Sequence, residues 1–188
     1  MKKTVLHFLF LFLVLLTSNS FKAAAQKRYC NALFSFCISY PTDFSEQGEP
    51  IDGSGNTFIS KDKKAIIETY GSHDVLDSPY NGLAGYYKWL VDSIYRNDGY
   101  FINNYSVKKK SWCVFSGEDK EGNIVYLKVI KKTEHAVNYL GKKNLVDVFL
   151  VLGITYPASQ QAIYKDYIQF IATWQGASCP SCRVVEEP

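Results

Sequence analysis

Two spacings of apolar residues alternate along this chain. The first is period two. In FSFCISYP (34–41), Phe34, Phe36, Ile38 and Tyr40 fall on one side, which predicts a half-buried strand. IDGSGN (51–56) is turn chemistry. TFIS (57–60) and AIIETYG (65–71) flank the charged tip KDKK (61–64) and predict a hairpin. The spacing then becomes helical. Ser78 can cap a helix and Pro79 suits its first position, and Leu83, Tyr86, Tyr87, Leu90 and Ile94 make one apolar stripe. Asn97, Asp98 and Gly99 end it. YFINNYSVK (100–108), SWCVFSG (111–117) and NIVYLKVIKK (123–132) return to strand, the last two joined by the turn EDKEG (118–122).

The most informative stretch is NLVDVFLVLGITYP (144–157). Val146, Val148, Leu150, Leu152, Ile154 and Tyr156 share one side, and Leu145, Phe149 and Val151 make the other side apolar too. A strand apolar on both sides is central and covered twice. ASQQAIYKDYIQFIATW (158–174) then reads as a helix through Ile163, Tyr167, Phe170, Ile171 and Trp174, with Gly176 as its C-terminal cap. The sum is a mostly antiparallel sheet with two main helices, an α+β domain.

The N-terminal pattern belongs to targeting. A basic start, MKK, precedes VLHFLFLFLVLL (5–16), an apolar run broken only by His7, and Ala23, Ala24 and Ala25 offer small residues for cleavage. This is the layout of a secretory signal peptide over 1–25, with Gln26 as the first mature residue. A spanning helix needs about 20 apolar residues, so the run is too short for an anchor, and no stable membrane insertion is expected after cleavage. Residues 26–176 then form one globular domain and 177–188 a cysteine-containing tail. The leader also explains the charge. The chain has 21 Lys and Arg against 18 Asp and Glu, but Lys2, Lys3 and Lys22 lie in the leader and none of the acids does, leaving 18 of each sign. A balanced domain gives no reason to expect nucleic acid as a partner. The run Lys108, Lys109, Lys110 reads as a solvated turn.

Five cysteines, Cys30, Cys37, Cys113, Cys179 and Cys182, meet an oxidising compartment if the chain is exported, so pairing is expected with at least one left over. Cys30, Cys37, Cys179 and Cys182 are the disulfide candidates. The bridge is either Cys179–Cys182 or a link from the tail to Cys30 or Cys37. Cys179 and Cys182 stand three apart in SCPSC, the spacing of thiol–disulfide enzymes. A redox motif of that kind opens a helix early in its fold, where the helix end lowers the thiol pKa. Here it follows the last helix, which favours a structural bridge. Zinc needs a second close pair, and Cys30 and Cys37 are loosely spaced for it. Cys113, in SWCVF, reads as a small buried hydrophobe.

Other candidate chemistry is thin. Asp52, Ser54 and Asn56 alternate as in a calcium loop, but Thr57 stands where that loop has glycine and Lys63 where it has an acid. His73 beside Asp74, and His135 beside Glu134, lack a matching nucleophile elbow. No catalytic, cofactor or metal site is therefore assigned. Of the 14 tyrosines, Tyr80, Tyr86, Tyr87 and Tyr95 are candidates for a partner-facing aromatic patch.

The order SFCISYPTDF, GSGNTFIS, helix, WCVFSGEDKEGNIVYLK, LVLGITYP and YKDYIQFIATW resembles the PsbP/Mog1-like domains over about residues 28 to 175. The resemblance implies an antiparallel sheet with helices packed on both faces, an α/β/α sandwich. It implies an accessory or binding role rather than catalysis, and it carries no cofactor, metal or partner site onto residues of this chain. The expectation is an exported, periplasmic or secreted, non-enzymatic accessory or binding domain of the cell envelope with a protein partner. The alternative is an envelope thiol–disulfide oxidoreductase using Cys179 and Cys182.

Overall fold

The computed structural model describes residues 25–73, 82–98, 101–137 and 143–176. Its strands are β1 (Gln26–Asn31), β2 (Phe36–Pro41), β3 (Phe44–Glu46), β4 (Gly55–Ser60), β5 (Ile66–His73), β6 (Phe101–Lys108), β7 (Trp112–Asp119), β8 (Asn123–Val137) and β9 (Lys143–Pro157). The helices are α1 (Gly82–Asp98), between β5 and β6, and α2 (Gln161–Thr173), which follows β9 through a short 3₁₀ turn. Every strand pairing is antiparallel. Seven strands form one sheet in the order β3-β4-β5-β9-β8-β7-β6, and β1 and β2 form a separate hairpin. Among the described residues no helix is long and apolar enough to cross a membrane.

The central position of β9 follows from its composition. β5 pairs on one side and β8 on the other. Alternate residues of β9 enter different apolar clusters. Val148, Leu150, Leu152, Ile154 and Tyr156 join the hairpin and the α2 residues Tyr164, Tyr167 and Ile171. Phe149 and Val151 join Tyr86, Tyr87 and Leu90 of α1, with Cys113, Phe115, Leu127 and Val129. Leu145, which the pattern places in the second set, is 67% exposed instead. At that end β9 pairs only with the far part of β8, beyond the reach of β5 and β7.

The helix stripes are offset in detail. In α2 the buried residues are Tyr164, Tyr167 and Ile171, whereas Ile163 is 69% exposed and Phe170 half-buried. Tyr164, not Ile163, lies in line with Tyr167 and Ile171 at helical spacing, so the apolar isoleucine turns outward. The helix ends at Thr173 with Trp174 as its cap, and Gly176 takes its left-handed turn two residues later. One carbonyl in the last turn and one just beyond the helix are covered from β8. Lys128 Nζ donates to Ala172 O at 2.7 Å, and Lys132 Nζ donates to Gly176 O at 2.7 Å. Both lysines place positive charge where the helix dipole is negative.

The hairpin is fastened over the same cluster as α2. Cys30 and Cys37 stand opposite each other in the β1–β2 ladder and are disulfide-bonded. Trp174 Nε1 donates to Cys37 O at 3.0 Å, and its ring meets Phe36 edge-on. Phe34, in the turn between the strands, packs on Gly71 of β5, where an added Cβ would collide with its ring.

Candidate functional site

The sequence-predicted positions separate on inspection. Cys30 and Cys37 are occupied by each other, which corrects the expectation of a bond from the C-terminal tail to either of them. Cys179 and Cys182 lie outside the described residues. Tyr86 and Tyr87 do not form a partner-facing patch. They are 2% and 7% exposed, with Tyr86 stacked on Phe149 and Tyr87 edge-on to Phe115. The helical stripe that made them conspicuous is the stripe that docks α1 on the sheet. Tyr80 and the side chain of Tyr95 lie outside the described residues. Asp52 accepts the Ser54 N–H at 3.0 Å, closing a local turn. His73 and His135 are exposed on β5 and β8, with β9 between them.

Among the described residues, two clefts of opposite character can be traced. The first lies where the start of α1 meets the β6–β7 turn. It has a volume of about 280 Å³ and is rimmed by Lys108, Lys109, Lys110 and Lys131, over a floor that includes Leu83, Tyr87 and Cys113. Each wall has a local cause. Leu83 and Tyr87 are four apart on one side of α1, Cys113 and Lys131 point to the α1 side by strand alternation, and Lys109 N–H donates to Trp112 O at 2.8 Å to tighten the turn. The Lys108 ammonium lies 3.8 Å from the centre of the Tyr87 ring, a cation–π contact, and Asn103 Nδ2 donates to Tyr87 Oη at 2.8 Å. Lys131 is held by Asp147 at 2.5 Å, which lowers the Asp147 carboxyl. Burial pushes the free Cys113 thiol up to about 11, outweighing the pull of Lys108. It is therefore a protonated thiol at neutral pH, not a nucleophile.

The second cleft, about 300 Å³, lies at the β4–β5 end of the sheet beside the loop 47–50. Its lining includes Glu49, Ser54, Asn56, Glu68 and Tyr70. Tyr29 Oη donates to Glu49 at 2.6 Å and accepts from Asn31 Nδ2 at 3.1 Å, so the hairpin braces the loop. Tyr40 likewise donates to Glu46. Desolvation together with Glu46 raises the Tyr40 hydroxyl to about 12, and desolvation raises Glu68 and, more strongly, Tyr70. Among the described residues, no group of three or more His, Cys, Asp or Glu is placed to hold a metal ion.

Sequence pattern pointed to neither cleft. The lysine triplet was visible, but its partners Tyr87, Cys113 and Lys131 come from other elements, and nothing in the spacing joins them.

No protein-family profile and no curated protein matches the chain. The solved structures do offer a likeness. The solution structure of cyanobacterial PsbP (CyanoP) from Synechocystis sp. PCC 6803 superposes with a TM-score of 0.54 at 9% sequence identity, over 82% of this chain and 94% of that one. At that identity the likeness is one of fold. The chain has a PsbP-like fold, a mostly antiparallel sheet with two helices.

Proposed function

We propose that this protein is an exported accessory or binding domain of the cell envelope, acting without chemistry of its own on a protein partner. The observation that carries the reading is the PsbP-like fold over 82% of the chain. The resemblance noted in the sequence leads to the same superfamily, whose members work by binding. The Cys30–Cys37 bond supports the compartment, because disulfides persist where the surroundings are oxidising. We read the architecture as an α/β/α sandwich, with α2 and α1 serving the alternate residue sets of β9.

Cell fractionation with intact-mass analysis tests export. The expected species begins at Gln26 and sits in the exported fraction. A cytoplasmic species that retains residues 1–25 would overturn the reading. The thiol-oxidoreductase alternative is tested on the same material by insulin reduction. No turnover is expected. Robust turnover that disappears in the Cys179→Ser, Cys182→Ser variant would replace the accessory reading with an enzymatic one.

A further inference from the structure

The cleft at the start of α1 concentrates like charge around an apolar floor, and only part of that charge is matched within the protein. Lys131 has Asp147, and Lys108 has the Tyr87 ring. Among the described residues no carboxylate pairs with Lys109 or Lys110. Four ammonium groups and one carboxylate around an opening of about 280 Å³ leave a net charge near three. Such a concentration is self-repelling, and an entering anion relieves it. The helix adds to the field, because the cleft takes in Leu83 and Ala84 from the first turn of α1, which carries no acidic residue. A dianion answers this charge better than a monoanion.

The floor sets the rest of the ligand. Leu83, Ala84, Tyr87 and Cys113 present hydrocarbon, ring and an un-ionised thiol. A wholly polar ligand would leave that surface facing water. The volume lies just under the ~300–1,000 Å³ of pockets that hold drug-sized molecules, so the ligand is small.

We propose that this cleft binds a small soluble phosphomonoester with a compact apolar group, the phosphate at Lys108, Lys109 and Lys110 and the apolar group on Leu83, Ala84 and Tyr87. The binding is reversible and breaks no bond. The proposal does not use the accessory reading, and it stands or falls independently of it.

The test is an amide NMR titration of the mature protein with phenyl phosphate, alongside inorganic phosphate, phenol and vesicles containing phosphatidic acid. Phenyl phosphate is expected to shift amides on both walls, at Leu83 and Ala84 and at Lys109 to Ser111. Inorganic phosphate should bind about tenfold more weakly, since the apolar half is idle, and phenol should leave the lysine wall unmoved. Lys109→Gln with Lys110→Gln should weaken phenyl phosphate by about tenfold or more, and Lys109→Arg with Lys110→Arg should retain it. Both lysines are exposed, so neither variant threatens the fold. The proposal is overturned by unmoved amides, by equal binding of inorganic and phenyl phosphate, by a glutamine variant that binds as the wild type does, or by binding to the vesicles without binding to phenyl phosphate.

Discussion

Among the described residues, nineteen buried side chains make up the cluster served by α2, and nine make up the cluster served by α1. The larger one is covered by several of the described elements. The hairpin lies over it, a disulfide fixes the hairpin, Trp174 ties the hairpin to the end of α2, and two lysines cover carbonyls at and just beyond the end of that helix. Among the described elements the smaller one is covered by α1, and the basic cleft opens where the described part of α1 begins. The difference shows how one sheet divides its labour. Burial of apolar area and cross-links sit in one cluster, and the room for a ligand sits beside the other.

The largest test of that contrast is a pair of truncations. Leu150 is fully buried in the large cluster, and Leu90 is 5% exposed in the small one. Leu150→Ala is expected to cost about 4 kcal/mol in urea melts and Leu90→Ala about 2 kcal/mol, because a site beside an open cleft collapses more readily around the missing atoms. Equal losses would break the comparison, and a loss at Leu150 under about 1 kcal/mol would remove β9 from the interior.

Next in size is the disulfide. It joins cysteines seven apart, and closing so short a loop stabilises by about 2 kcal/mol in the chain-entropy picture. The Cys30→Ser, Cys37→Ser variant should lose about that much in urea, while the amides around the basic cleft stay in place by NMR. A variant that disturbs the cleft would show that the two clusters are not separable.

The smallest effect is a slope. Desolvation lowers the ammonium pKa of Lys128, and of Lys132, from the ordinary 10.5. The unfolded chain then binds more protons than the folded one between the lowered value and 10.5, so this contribution to stability rises with pH across that window. The raised Cys113 thiol and the raised tyrosines act in the opposite sense from about pH 9 upward. The difference in urea midpoint between the wild type and Lys128→Met should shift in favour of the wild type from about pH 8 to pH 10, since the other titrating groups are common to both. An unchanged slope in the variant would mean that Lys128 is not desolvated as its place under α2 implies.

Much of this architecture was legible in the sequence because the strands and helices carry their periods openly. The doubly apolar run 144–157 declared the centre of the sheet, and TFIS and AIIETYG declared the β4–β5 hairpin. β1 escaped because QKRYCN alternates little. Its role depends on pairing with β2 and on the disulfide, which are contacts rather than patterns. β3 is three residues long, too short to show a period. The tyrosines of α1 misled in the other direction. Amphipathic side chains suit both interfaces and cores, and only the docking of α1 decides between them. The two clefts were illegible for a further reason: each is assembled from side chains brought together by folding, across loops and strands far apart in sequence.

The borders of the seven-stranded sheet have a consequence of their own. One border is β3, with only three residues, and the other is β6, whose register shifts between Asn103 and Tyr105. An open strand is a template on which another copy can add itself, and both borders spoil that template, one by brevity and one by a kink in the spacing of its hydrogen-bonding groups. The described sheet thus carries its own chain terminators at both borders, and each discourages growth by strand addition.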